Sequence, residues 1–414
     1  MAEIKVPVAE LQIGYYIKLP MSWKMHPFLL SSFCIKDDAQ LTQLRHLGLA
    51  EIIVDTEKSK IAVVLKETPP APPPPILETS SKLSEHNAEQ QGLRRALRIS
   101  EKAYNESLHP LKEAFSQLTT KPDSSLAIIG TLIHQSNSQL TQLEAPVGFQ
   151  LVRASTQSDL LLLHSLNVAF ISMLMAREAG WTTLQIEDAG LAGLLHDIGE
   201  LRVPSQIARK RTELTKAELS YLHMHPQYGF EQLSSIHAYS PQIRNVALQH
   251  HEHLDGSGYP KGISADKLEQ LTRLVSVADY FDEQLHPRNN QGSISPNQIL
   301  SRLYKRANKQ LDATFIQLLI KLMGIYPPGS FIKLDDNSVA LVTSSHPDNP
   351  LKPTILPYVR GQKPEGVDLI NLKDDTRHIV GAMEAHELSS YQKTFFSQEY
   401  YYCYYFCCHH RSAL

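Results

Sequence analysis

Apolar residues recur at three- and four-residue spacing through LLLLHSLNVAFISMLMARE, IEDAGLAGLLHDIGE, TKAELSYLHMHPQYGFEQL, PQIRNVALQHHEHL, LEQLTRLVSVADYFDEQL and SPNQILSRLYKRANKQLDATFIQLLIKLM. That spacing predicts a helical domain over residues 151–323, with helix starts near Asp188 and Thr215 and a loop at Gly256 and Gly258. The pattern differs on both sides. VPVAELQIGYYIKL alternates apolar and polar positions around Gly14, residues 40–49 carry Leu41, Leu44 and Leu47 at helical spacing, and EIIVD and IAVVL read as short strands. Residues 1–66 are therefore expected to form a small α+β domain. Half of residues 67–78 are Pro, so 67–83 reads as a semi-rigid linker. Residues 84–150 read as a connecting helical region whose amphipathic face lies on the domain's own surface or on a partner. SFIKLD, VALVTSS and VRGQKPEGVDLINLKD predict a β-rich appendage over 324–385. The Tyr- and Cys-rich tail, 386–414, is expected to be disordered; its CxxxCCHH offers metal-type ligands, but without a second ligand pair. The expected fold class is mainly α: a helical domain with a small β appendage, behind a small α+β N-terminal domain.

Composition narrows the function classes. A chain of 414 residues suggests two or three domains at roughly 100–200 residues each. With 40 Lys and Arg against 43 Asp and Glu, the net charge is −3, and no basic excess points to DNA. No run of 18 or more residues is free of polar groups, and the nearest, 160–176, carries His164, Ser165, Asn167 and Ser172. No membrane span is expected. MAEIKVPVAE lacks the form of a secretory signal, and four Cys make no disulfide framework, so a cytoplasmic location is expected.

The chemistry concentrates between His164 and Asp279. His164, the adjacent His196 and Asp197, His225, the adjacent His250 and His251, and Asp279 lie within or at the ends of apolar helical segments. Imidazole with carboxylate suits a first-row transition metal: Mn, Fe, Zn, Co or Ni. Seven such groups exceed what one zinc-type centre needs but suit two divalent ions, with Asp197 bridging them.

LLHDIGELRVPSQI, MHPQYGFEQL, HHEHLDGSGYPKGI and RLVSVADYFD together resemble the HD-GYP family of HD-type metal-dependent phosphohydrolases, and IGYYIKLP with SWKMHPFLL resembles the small domain often found ahead of it in bacteria. The resemblance implies that His164, His196, Asp197, His225, His250, His251 and Asp279 bind metal, preferably Mn or Fe. It implies hydrolysis of cyclic di-GMP to pGpG and onward to GMP in some members. Gly258, Tyr259 and Pro260 then form a loop beside the substrate and a docking surface for GGDEF-type proteins. A homodimer is a further expectation. Members with three metals carry Glu where Leu160 stands, so two metals are expected here. Glu200 stands where the family has a Lys, and a carboxylate there repels phosphate unless it binds metal or pairs with an Arg. Arg288 is the chief basic candidate after FDE, and Lys210 matches a basic position of the family. Asp197, Glu200 and Lys210 are thus the candidate catalytic residues, with Glu252, Asp255 and Asp282 supporting the ligands. The alternatives are a slow or inactive member that senses cyclic di-GMP or docks a partner, and a phosphohydrolase of another nucleotide.

Overall fold

The computed structural model describes residues 3–19, 28, 32–45, 47, 49, 51–61, 79–144, 146–155, 159–210, 212–236, 238–288, 294–396 and 400–408. The Pro-rich run, most of SWKMHPFLL and most of IAVVL lie outside them. The N-terminal domain holds β1 (Glu3–Pro7), β2 (Tyr16–Lys18), β3 (Ser32–Cys34), α1 (Asp38–Arg45) and β4 (Glu51–Asp55). Its strands form an antiparallel sheet in the order β1-β4-β2-β3. Val6, Tyr15, Ile17, Leu44, Ile52 and Val54 close its core, which is the alternation seen in the sequence.

Two connecting helices follow, α2 (Thr79–Gln117) and α3 (Pro122–Gln142). Both pack on the helical domain: Tyr104, Leu111, Phe115, Ile129 and Ile133 belong to its core. The amphipathic face of the connecting region is thus covered within the chain.

The helical domain contains α4 (Leu160–Glu178), α5 (Thr183–Leu195), α6 (Ser205–Ala208), α7 (Lys216–Leu222), α8 (His225–Ser234), α9 (Pro241–Gln249), α10 (Gln270–Leu285), α11 (Pro296–Arg306) and α12 (Ala313–Met323). Local chemistry sets several starts. Asp159 caps α4, accepting from the amide of Leu161, and Thr182 and Thr215 form capping boxes with Gln185 and Glu218. The start expected near Asp188 is corrected: the chain enters α5 at Thr182, and Asp188 lies inside the helix. Helix α4 is long and apolar enough to cross a membrane, but 78% of its apolar window is buried inside the fold. It is the central core helix.

The appendage contains β6 (Phe331–Leu334), β7 (Val339–Ser344), β8 (Thr354–Pro357), the two-residue β9 (Ile370–Asn371) and β10 (Ile379–Met383). Its sheet reaches further than expected. A strand before the helical domain, β5 (Val147–Ser155), occupies the first residues predicted as helical and pairs with β7. After the short α13 (Ser390–Phe395), Tyr400–Cys408 forms β11, antiparallel to β5 in continuous register from Tyr400–Ser155 to Cys408–Val147. The expectation of a disordered tail is corrected for these residues. Cys403, Tyr404, Tyr405 and Phe406 are buried, with Phe170 of α4 against Tyr405 and Phe406. Four consecutive residues of this strand are thus covered on both faces and bury aromatic area, worth roughly 1.5–3 kcal/mol per side chain. Cys403 is a core thiol whose pKa burial pushes up, which disfavours it as a metal-binding thiolate.

Candidate metal centre

Close helix packing assembles the ligands. A side chain at Gly193 of α5 would meet Ala169 Cα and the Val168 carbonyl at 2.9 Å, so glycine lets α5 lie against α4. His196 at the end of α5 thereby reaches His164 in the second turn of α4. Asp197 follows at φ −99°, ψ 12°, where the chain leaves the helix. At Gly199 a Cβ would overlap the His225 carbonyl oxygen and the Gly229 amide nitrogen, so glycine also seats the start of α8 against the His-Asp turn. His250 caps the end of α9, His251 follows it, and Asp279 lies in mid-α10. His196 and His250 both sit at helix C-termini, where the dipole's negative end favours a cation.

The Nε2 atoms of four histidines converge, because each Nδ1 is held from behind. His196 Nδ1 is 2.7 Å from the Gly193 carbonyl, His225 Nδ1 is 2.9 Å from that of Leu222, and His250 Nδ1 is 3.1 Å from that of Val246. His164 Nδ1 is 2.7 Å from Asp282 Oδ2. A carbonyl or carboxylate on Nδ1 makes that atom the donor and leaves the Nε2 lone pair for a metal.

The carboxylates divide these nitrogens into two sets. Asp197 Oδ1 lies 3.0 Å from His225 Nε2 and 3.3 Å from His250 Nε2. Its Oδ2 lies 3.6 Å from both His164 Nε2 and His196 Nε2. Asp279 Oδ1 lies 3.1 Å from His164 Nε2 and 3.4 Å from His196 Nε2, and its Oδ2 lies 3.8 Å from His251 Nδ1. Three sets of potential ligand atoms result: Asp197, His225, His250 and His251; His164, His196 and Asp279; and His251, Asp279 and Glu283. Glu283, one turn after Asp279, was not anticipated. Its only sequence signal is its i+4 position from a ligand candidate.

The chemistry of this donor set fits divalent transition metals. Asp197 Oδ1 and Asp279 Oδ1 are buried without a hydrogen bond of good geometry, although imidazole nitrogens lie close by. Imidazole nitrogens also face each other at 3.1 Å (His164 with His196) and 3.2 Å (His225 with His250). Lone pairs converging in this way call for a cation between them. Burial opposes charge on His164, but the adjacent carboxylates of Asp279 and Asp282 outweigh it and hold its pKa well above the ordinary value. His196 is also raised, despite burial, chiefly by Asp197. Burial alone would raise Asp197 and Asp279, yet the surrounding imidazoles hold both well below the carboxylate range. A metal held here would displace protons from His164 and His196, so its affinity should fall as pH drops through their raised pKa values. Adding Mn(II) to metal-free protein at neutral pH should release protons, measured with an indicator dye in weak buffer. Uptake without proton release would contradict this charge assignment.

The supporting residues are placed as follows. Asp282 is fully buried, holds His164 Nδ1 as described, and accepts from Asn167 Nδ2 at 2.7 Å. Glu252 accepts from the amides of Lys261 (2.7 Å) and Ile263 (3.1 Å) and so folds the loop after His251. Asp255 accepts from the amide and hydroxyl of Ser257. Gly258 permits the loop's close approach: a Cβ there would overlap the His251 carbonyl and the His253 amide. The Tyr259 amide donates to the His251 carbonyl at 3.1 Å, and its ring stacks on His251 (centroids 4.7 Å) and on His223 (4.0 Å). Pro260 continues this loop, directly before Lys261. Glu200 is buried and forms an ion pair with Arg288, whose other amino group points to the Ala208 carbonyl at 3.4 Å. The expected repulsion at Glu200 is thus met by an Arg partner. The ammonium of Lys210, the other basic candidate, is held by Glu218 at 2.6 and 2.9 Å, in the capping box of α7.

Two family models match this chain: a domain of unknown function, DUF3391, over residues 3–127, and the HD domain over residues 132–315. The HD domain match spans the His-Asp cluster and the loop over it. The chain is thus similar to HD domain proteins over residues 132–315 and to DUF3391 domains over residues 3–127. The DUF3391 match runs past the expected boundary at residue 66 and includes all of α2. The chain is 27% identical to the cyclic di-GMP phosphodiesterase PA4108 of Pseudomonas aeruginosa, over 91% of each chain. It is 27% identical to the cyclic di-GMP phosphodiesterase PdeB of Borreliella burgdorferi, over 49% of this chain and 53% of that one. It is 31% identical to the 3'3'-cGAMP-specific phosphodiesterase 3 of Vibrio cholerae, over 40% of this chain and 35% of that one.

Proposed function

We propose that this chain hydrolyses a 3′–5′ phosphodiester of cyclic di-GMP to give pGpG, using two divalent metal ions. The observation that carries this reading is the division of ligands by Asp197, whose two carboxylate oxygens face different pairs of histidines. His225, His250 and His251 would hold one ion, and His164, His196 and Asp279 the other, with Asp197 shared. Two ions in such a site supply an activated water and neutralise charge developing on phosphoryl oxygens. The protein groups do the rest. Asp282 and the carbonyls of Gly193, Leu222 and Val246 fix the imidazoles. Tyr259, sandwiched between His223 and His251, holds the loop against the cluster. Arg288 supplies the cation that Glu200 cannot.

In this reading Glu200 anchors Arg288 beside the phosphate. Arg288→Ala should reduce kcat/KM by roughly ten- to hundredfold, the worth of a charge-assisted contact of about 1.5–3 kcal/mol. It should also lower stability by about 2 kcal/mol, because Glu200 is left buried without its partner. That is less than for a fully buried pair, since the Arg288 side chain is 39% exposed. Steady-state kinetics and thermal melts check both effects. Unchanged kinetics with reduced stability would make the pair purely structural.

The similarity to a 3'3'-cGAMP-specific enzyme favours a second reading, in which another cyclic dinucleotide is the better substrate. Anaerobic incubation of Mn- or Fe(II)-loaded protein with cyclic di-GMP, 3'3'-cGAMP and cyclic di-AMP, followed by chromatography of products, decides between them. The proposal expects pGpG to form fastest and to vanish in His196→Ala. Intact cyclic di-GMP with two metals bound would overturn it in favour of a sensor. Faster cleavage of 3'3'-cGAMP would reassign the substrate.

A further inference from the structure

We infer that Asn167 is a positioning residue for the metal ligand His164, acting through Asp282, and that it ties this ligand to the connecting helix α2 and the C-terminal strand β11. The inference rests on the reading of His164 as a ligand.

Asn167 lies one turn after His164 on α4 and is fully buried. Its Oδ1 faces the backbone amide of Tyr404 at 3.3 Å and the Tyr104 hydroxyl at 2.9 Å. A backbone N–H can only donate, so it fixes which end of the amide is oxygen. Nδ2 must then point the other way, where it donates to Asp282 Oδ1 at 2.7 Å. His286 Nδ1 lies 3.3 Å from the same oxygen. With Oδ1 held on this side, the carboxylate plane is set and Oδ2 aims at His164 Nδ1, 2.7 Å away.

Three consecutive hydrogen bonds therefore run from Tyr104 through Asn167 and Asp282 to His164. Their outer ends lie on elements that carry no ligand. Tyr104 sits on α2, the helix that follows the N-terminal domain, and Tyr404 on β11, which is held by nine paired residues of β5. The simpler alternative is that Asn167 only satisfies buried polar groups in the core. Such a role would cost stability when removed but would leave the ligand's metal chemistry alone.

Co(II) binding to the full chain, followed by its visible ligand-field absorption, separates the two. Asn167→Leu should weaken binding of one of two Co(II) ions by about ten- to hundredfold, the usual effect of losing an outer partner of a ligand, and shift its absorption. Asp282→Asn should do the same, and the double variant should be no worse than the weaker single one, because both act on one path. Tyr104→Phe should give a smaller loss in the same direction, about two- to tenfold. It carries the test alone if Asn167→Leu does not fold. Unchanged affinity and spectrum in Asn167→Leu or in its stand-in would overturn the inference, as would additive effects of Asn167→Leu and Asp282→Asn. His164→Ala is the reference. If it keeps both Co(II) ions, the ligand assignment itself falls. If it loses one while Asn167→Leu loses none, only the positioning role falls.

Discussion

Asp197→Ala should abolish metal retention and phosphodiesterase activity together. Each oxygen of Asp197 faces a different histidine pair, so no neighbouring group can replace it. Losing the Lewis-acid contribution of the ions, several kcal/mol, corresponds to at least about a thousandfold loss of kcat. The metal-free variant should also lose the proton release expected of the wild type. Metal analysis after gel filtration, with product chromatography on the same sample, checks this. A variant that kept two ions and normal turnover would show that the ligands are wrongly assigned.

Gly199→Ala should be the most damaging single-methyl change in the helical domain. The added carbon would overlap the backbone of His225 and Gly229, and backbone at the start of a packed helix cannot yield as a side-chain tip does. Overpacking of this kind costs up to about 3 kcal/mol. At roughly 2–4 °C per kcal/mol for a domain of this size, Tm should fall by about 6–12 °C. Because the shift moves His225, metal affinity should fall as well. Differential scanning calorimetry on metal-free and metal-loaded protein separates the two effects. A variant with unchanged Tm would mean that the His-Asp turn and α8 are less tightly joined than this structure shows.

The candidate site was largely legible because its potential ligands are marked by residue type within short motifs. His196 with Asp197 and His250 with His251 stand out in apolar surroundings, and the structure brings both pairs together with His164, His225 and Asp279. What escaped depends on contacts between distant segments. The pairing of Glu200 with Arg288 joins residues 88 positions apart in sequence. The sequence raised such a pairing but gave no way to choose it over metal binding. Glu283 looks like any helix-surface carboxylate until α10 is seated beside His251. Asn167 reads as one polar residue in an apolar helix, and only β11 shows what its amide holds. The same strand accounts for the misread tail. A stretch of Tyr and Cys without charge alternation carries no turn signal, and its partner β5 lies some 250 residues earlier. Lys210 is the reverse case: its position fitted a basic site, but Glu218, the capping residue of α7, is close enough to claim it.

The central claim, that Asp197 is shared by two ions, is tested most directly by electron paramagnetic resonance of the wild-type protein loaded anaerobically with Mn(II). The account predicts two ions per chain with a spin-coupled spectrum, as a bridging carboxylate requires. One ion per chain, showing only the hyperfine pattern of an isolated Mn(II), would contradict it.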